Sequence, residues 1–210
     1  MIKVLIADDH AIVRQGLKQV LSDSTSMKVV EEAENGSEVL DKISKNDFSV
    51  LVLDVSMPGE NGIEILKKVK VMSPDLPVLM LSMYSEEQYA IRALKAGANG
   101  YLTKDKAPDI LVSAIDKVAN GRKYISNALA ERLADGLYQN KSNKVQHELL
   151  SDREYEVMCH IASGKTVSDI ADEMNLSVKT ISTYRARVLN KMKMKSNAEL
   201  THYTIKNNLI

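Results

Sequence analysis

Several common features are scarce or missing in this 210-residue chain. Cysteine occurs once, at Cys159, which excludes an internal disulfide framework and fits a reducing compartment. Its apolar neighbours read it as a small core side chain rather than a reactive thiol. Net charge is missing, because 28 Lys+Arg balance 28 Asp+Glu; any footprint of a polyanionic partner must therefore be local. No stretch approaches the roughly 18 apolar residues of a membrane span, and the start, Met1 to Asp9, meets acids too early for the apolar region of a signal peptide. The expectation is a soluble cytoplasmic protein without a membrane partner. Repeats of fixed period and low-complexity runs are also absent. The length exceeds what one ordinary domain of roughly 100 to 200 residues requires and predicts two.

What is present is a series of short apolar runs that end on polar residues. Val50 to Leu53 is a mostly β-branched run without alternation, which predicts a strand buried on both faces of a parallel sheet. It ends on Asp54, and Met57-Pro58-Gly59 breaks it. Ile2 to Ala7 is a similar run closed by Asp8-Asp9, and it is followed by helix-spaced apolar residues at 13, 17, 20 and 21. Met27 to Ala33 predicts a second strand. Ser37 to Lys45 predicts a helix with Ser37 as N-cap and Val39, Leu40 and Ile43 buried. Beyond the Asp54 strand, Gly62 to Met72 reads as a helix burying Ile63, Leu66 and Val69, and Val78 to Ser82 as a strand. Glu86 to Ala96 reads as a helix ended by Gly97, Gly100 to Lys104 as a fifth strand, and Pro108 to Asn120 as a helix closed by Gly121. Five strands alternating with five helices predict a doubly wound α/β domain with a five-stranded parallel sheet.

That alternation places Asp8, Asp9, Asp54, Ser82 and Lys104 at one edge, where open α/β sheets bind ligands. Carboxylates gathered there raise one another's pKa unless a cation compensates. An all-oxygen site with few protein ligands suits Mg²⁺ better than zinc. A lysine ammonium and a serine hydroxyl beside it suit a phosphoryl group on Asp54, whose oxygens change charge during in-line transfer. Any one strand-end acid is more often a cap or a loop residue; the joint placement carries the signal.

The motifs resemble the receiver domain of two-component response regulators: Asp8-Asp9, Asp54 followed by Met57-Pro58 and Gly62, Ser82, Ala96-Gly97-Ala98, and Tyr101 with Lys104. The likeness runs from about Met1 to Gly121. It implies Asp54 as phosphoacceptor, with Mg²⁺ held by Asp8, Asp9, Asp54 and the backbone carbonyl of Ser56. It also implies Ser82 and Tyr101 as a switch pair, and Lys104 as the ligand of a phosphoryl oxygen. Asp105 follows Lys104 where many receivers carry proline, so no cis peptide bond is expected there.

From Gly121 the character changes. Ser126 to Tyr138 has a helical stripe at Leu129, Leu133 and Leu137, and Gln139 to Lys144 reads as a tether; the helix fits either a receiver contact or a linker role. From Leu150 there are four helix signals and no strand: Asp152 to Ser163, Val167 to Met174, Val178 to Met192 and Asn197 to Asn207. Ser151 and Glu154 are spaced as a capping box, and Ser177 fits an N-cap. Two short helices joined by Asn175-Leu176-Ser177 fit a helix-turn-helix. In Val178 to Met192, Ile181, Tyr184, Val188 and Met192 share one arc and predict a core face. Lys179, Ser182, Thr183, Ala186 and Asn190 lie opposite, flanked by Arg185, Arg187 and Lys191. No acid occurs from Leu176 to Ala198, a segment with six Lys or Arg, which is the local charge of a phosphate-binding helix.

Leu150-Ser151-Asp152-Arg153-Glu154, Gly164-Lys165-Thr166, Asp169-Ile170-Ala171 and Lys179-Thr180-Ile181 through Lys191-Met192 resemble the LuxR-type DNA-binding domain of NarL/FixJ response regulators. Tyr184 stands where histidine is more usual. The resemblance implies base-edge contacts by Lys179, Ser182, Thr183 and Arg187, and phosphate contacts by Thr166, Arg185 and Lys191. It also implies a dimer contact from the last helix, with Leu200, Tyr203 and Thr204, internal packing being the other reading of Leu200. The expected organisation is a receiver over 1–121, a linker with a helix over 122–147, and a small all-α helix-turn-helix domain over 148–210. The expected protein is not an enzyme. It is a phosphoacceptor that assists its own phosphotransfer and dephosphorylation with Mg²⁺, taking the phosphoryl group from a cognate histidine kinase. It would act as a homodimer on promoter half-sites, with RNA polymerase as a further partner. An aspartyl phosphatase would need a second catalytic acid close after Asp54, and none appears before Glu60. The remaining alternative is a receiver whose helical domain binds protein rather than DNA.

Overall fold

The computed structural model describes residues 1–138, 146–207 and 209–210, with no account of the side chains of 87, 88, 132 and 134–138. The tether expected at 139–144 and the Leu137 side chain lie outside the described residues. The chain forms two compact units, Met1–Leu133 and Ala134–Ile210.

The first unit alternates β1 (Ile2–Ala7), α1 (Ala11–Ser22), β2 (Met27–Ala33), α2 (Gly36–Lys45), β3 (Val50–Asp54), α3 (Gly62–Met72), β4 (Val78–Ser82), α4 (Glu86–Lys95), β5 (Gly100–Thr103) and α5 (Ala107–Ala119). The strands form one sheet in the order β2-β1-β3-β4-β5, with every pair parallel. This is a doubly wound α/β arrangement. β3, β4 and β5 are buried at every residue, as their non-alternating sequence requires. On one face, Val4, Ile6, Val52, Leu79 and Leu81 meet Leu17, Leu21, Leu111 and Ile115 of α1 and α5. α2 and α3 contribute buried Val39, Ile43, Ile63, Leu66 and Val69, while Leu40 is only partly buried.

One helix start differs from expectation. The N-cap of α2 is Asn35, whose side chain accepts a hydrogen bond from the Glu38 N–H at 3.0 Å. Ser37 lies inside the helix, exposed. Glu38 in turn accepts from the Glu34 N–H at 3.0 Å, so the helix entry is closed by a carboxamide and a carboxylate rather than by the serine. The last strand ends at Thr103, which leaves Lys104 just beyond it.

The chain beyond α5 stays with this unit. Gly121 turns with φ +74°, and Tyr124 then forms a parallel bridge to Gly100. The Tyr124 N–H donates to Asn99 O at 2.9 Å, and Tyr124 O accepts from the Tyr101 N–H at 3.3 Å. A side chain at position 100 would come within 2.9 Å of Tyr124 Cβ and 2.8 Å of its carbonyl oxygen, so glycine permits the approach. α6 (Asn127–Tyr138) follows. Its first turn is fixed by Ser126, which accepts from the Leu129 N–H at 3.1 Å and bonds Glu86 of α4, and Leu129 is buried. Of the two roles open for this helix, the contact with the receiver is the one observed: its beginning packs on the first unit, which extends to Leu133.

The second unit contains a short 3-10 turn, Gln146–Leu149, then α7 (Asp152–Ala162), α8 (Val167–Glu173), α9 (Val178–Met192) and α10 (Asn197–Lys206). Ser151 and Glu154 form the expected capping box of α7. Thr166 and Asp169 form another for α8. Asn175, with φ +52°, makes the turn into α9, which Ser177 caps. Tyr155, Met158, Ile170, Ile181, Val188, Met192 and Leu200 are buried.

Candidate functional site

The sheet order sets the ends of β1, β3, β4 and β5 side by side. Asp54, 1% exposed, closes β3. Its Oδ2 accepts from Lys104 Nζ at 2.7 Å, and its Oδ1 accepts from the Ser56 N–H at 3.2 Å. Lys104 Nζ also lies 2.6 Å from Oδ2 of buried Asp8. The other Asp8 oxygen accepts from the His10 N–H at 2.9 Å, and Asp9 Oδ1 lies 2.9 Å from His10 Nδ1. Asp8, Asp9, His10 and Asp54 each offer a ligand atom within 4.8 Å of the others.

Burial pushes the Asp54 carboxyl up to about 6, with the Asp8 charge adding to the rise and the Lys104 ammonium opposing it. Burial alone would lower Lys104, but the two carboxylates it bridges outweigh that and hold it above the ordinary lysine value. The pair is self-consistent: one cation compensates two buried acids, which leaves negative charge over for a second cation.

Asp54 is positioned through its backbone as well. The Gly62 N–H at the start of α3 donates to Val55 O at 2.7 Å, and a Cβ on Gly62 would lie 2.0 Å from the Asp54 carbonyl oxygen. Buried Asn61 caps α3 by accepting from the Ile63 N–H at 2.9 Å. Ser82 and Tyr101 converge on one residue that sequence reading missed, Tyr84. Ser82 Oγ accepts from the Tyr84 N–H at 3.1 Å, and the Tyr101 hydroxyl donates to Tyr84 O at 2.9 Å. The Tyr101 ring is inside the protein, where burial raises its phenol pKa.

In the second unit, Lys179, Ser182, Thr183 and Arg187 are exposed on α9. Lys179, Thr183 and Arg187 line one shallow hollow with Ser177, Thr180 and Tyr184. Tyr184 was expected on the core face with Ile181; it is only half-buried, because it stands at the margin of that face and opens onto the hollow. The other three candidates are held within the unit. The Thr166 hydroxyl donates to Asp169 at 2.6 Å, Arg185 Nε donates to Asn197 Oδ1 at 2.8 Å, and Lys191 Nζ donates to Glu154 Oε2 at 2.6 Å. Leu200 and Thr204 of α10 are buried and Tyr203 pairs with His147 Nδ1 at 2.9 Å. Leu200 and Thr204 thus serve internal packing, the other reading of Leu200, while half-buried Tyr203 borders an open hollow with Met194, Glu199 and His202.

Residues 4–116 match the family model of the response regulator receiver domain, and residues 148–204 match that of bacterial regulatory proteins of the luxR family. The chain is a two-component response regulator of the NarL/FixJ family. Response regulator UvrY of Escherichia coli (strain K12) is 36% identical over 209 residues, covering 100% of this chain and 96% of that protein. The RcsB response regulator of Salmonella typhimurium superposes with TM-score 0.69 at 29% identity over 98% of each chain. RcsB bound to the promoter rprA in the presence of a phosphomimetic superposes with TM-score 0.65 at 30% identity, over 97% of this chain and 98% of that one. This response regulator is accordingly a phosphorylation-dependent, DNA-binding regulator of transcription and not a classical enzyme. No described helix of it is long and apolar enough to cross a membrane.

Sequence reading also missed Arg14. Its neighbours in α1 gave no reason to expect a buried guanidinium, and its partners are 18 and 20 residues away, at Glu32 and Glu34. The Asn35 cap and the Thr166 capping box did have a local signal, an acid three residues on.

Proposed function

We propose that Asp54 accepts a phosphoryl group from a histidine kinase and that this event controls promoter binding by α9. The observation that carries the reading is the buried Asp54 carboxylate, 2.7 Å from Lys104 at the strand-end edge it shares with Asp8. In the transfer, an Asp54 oxygen bonds phosphorus as the phosphorus–nitrogen bond to the kinase histidine breaks.

Asp8, Asp9, Asp54 and the backbone carbonyl of Ser56 would hold Mg²⁺; a donor set of hard oxygens beside an uncompensated carboxylate fits that ion. When bound, the ion neutralises phosphoryl oxygens. Lys104 exchanges its carboxylate partners for a phosphoryl oxygen, and the Ser82 hydroxyl turns from Tyr84 towards another. Tyr101, already inside, anchors the Tyr84 carbonyl while that loop rearranges. The contacts of Lys104 and Ser82 with the phosphoryl group exist only in the phosphorylated form, which is what a shift of population between two states requires. The same groups assist hydrolysis of the acyl phosphate.

Functionally the chain divides into a receiver of residues 1–121, a linker of 122–147 whose first part rides on the receiver, and a DNA-binding domain of 148–210. Lys179, Ser182, Thr183 and Arg187 face base edges, and Thr166, Arg185 and Lys191 face phosphates. The active form is a cytoplasmic homodimer on paired half-sites that engages RNA polymerase. The test is Asp54→Asn: it should abolish labelling by a small acyl-phosphate donor in Mg²⁺ and, with it, the donor-dependent rise in promoter affinity. Undiminished labelling would falsify the acceptor assignment.

A further inference from the structure

We infer that Arg14 is a positioning residue for Asp8, fixing its main chain from the β2 edge and so setting the affinity of the acidic cluster for a divalent cation. The inference rests on the reading of Asp8 as a ligand in the proposed site. Asp8 lies one residue past the end of β1, where strand pairing stops supplying partners, yet it is completely buried. A buried main-chain carbonyl there needs a donor. Arg14 gives it one: Nη1 donates to Asp8 O at 2.7 Å, from a guanidinium that is itself only 9% exposed.

The rest of the guanidinium is held from the neighbouring strand. Nε donates to Glu32 Oε2 at 3.3 Å, and Nη2 is bonded by Glu34 Oε1. Glu32 is shared with Lys18 Nζ at 2.7 Å. The Asp8 N–H completes the frame by donating to Ala33 O at 3.1 Å. The peptide on each side of Asp8 is therefore tied to the end of β2, directly through Ala33 and through Arg14 to Glu32 and Glu34. With both peptides fixed, the carboxylate has only its side-chain torsions left, and those are constrained by the His10 N–H and Lys104. Lysine cannot replace this fork: its single nitrogen reaches the carbonyl or a carboxylate but does not span three acceptors in one plane.

The experiment titrates the full chain with Mn²⁺ alone, following free Mn²⁺ by electron paramagnetic resonance, without a phosphodonor. Groups that orient a metal ligand are typically worth roughly 10- to 100-fold in metal affinity. Arg14→Lys should thus weaken Mn²⁺ binding about tenfold or more, and Glu32→Gln with Glu34→Gln, which leave Arg14 in place but unanchored, should weaken it in the same direction. Asp54 labelling should recover when Mg²⁺ is raised, so the half-saturating Mg²⁺ moves while the limiting rate stays near wild type; mere loosening of the fold would not separate the two. Wild-type Mn²⁺ affinity in folded Arg14→Lys, or in the double glutamine variant should the former not fold, overturns the inference while leaving the site intact. If instead Asp8→Asn binds Mn²⁺ as wild type does, the ligand reading of Asp8 fails and the role of Arg14 fails with it.

Discussion

Gly62 sits against the backbone of the acceptor residue with no room for one more carbon. A methyl there would lie 2.0 Å from the Asp54 carbonyl oxygen and 2.9 Å from Val55 Cα, and both are backbone atoms that cannot rotate aside. Gly62→Ala should therefore cost about 1–3 kcal/mol or more, read as a lower urea midpoint, with slower Asp54 labelling because the acceptor itself is displaced. A wild-type midpoint would contradict this close approach. Glu154 supports a different prediction. Burial raises its carboxyl, but the Lys191 ammonium and the Ser151 donors outweigh burial and leave it below the usual glutamate value of 4.5. The unfolded chain then takes up the proton first, so this contribution is complete above about pH 4.5 and is lost as pH falls through the native value. The stability advantage of wild type over Lys191→Met should shrink on acidification from pH 7 towards 3 in urea titrations. A constant difference across that range would mean that the ion pair contributes nothing.

At the scale of elements, the starts of α2, α3, α7, α8, α9 and α10 had local information in a capping side chain, and the reading went wrong where two candidates competed. Asn35 and Ser37 are both capping types, and the acid three residues after Asn35 decides for it. Asn35→Ala should destabilise the protein by about 1 kcal/mol, while Ser37→Ala, at an exposed helical position, should stay within about 0.5 kcal/mol; equal effects in thermal melts would reverse the assignment. The strands were legible because an unbroken apolar run with a polar end requires no knowledge of neighbours. Arg14, Tyr84 and Tyr124 were not legible, since what makes each of them important lies on another strand. A helical wheel placed Tyr184 on the correct side of α9 but carries no depth, so it could not distinguish a core ring from one at the margin of a hollow. Leu200 was open between two roles for a related reason: an amphipathic last helix looks the same whether it is covered by its own domain or by a copy.

For the whole molecule, the two units divide the work, and the division can be measured. Arg187→Ala removes a cation from the α9 hollow and should weaken promoter binding by about 1–3 kcal/mol with Asp54 labelling unchanged. Lys191→Ala should weaken it too, but with a loss of stability, because that lysine also holds Glu154. If either substitution slowed labelling, the separation of input from output would be wrong.

The bridge from Tyr124 to Gly100 has one more consequence. β5 is one of the two outer strands of the sheet, and an uncovered outer strand is a template on which foreign chains can polymerise. The residues after α5 occupy that border with the chain's own amide groups. A receiver fragment cut after Gly121 would bare it, and should be more prone to self-association than one that runs on to Leu133.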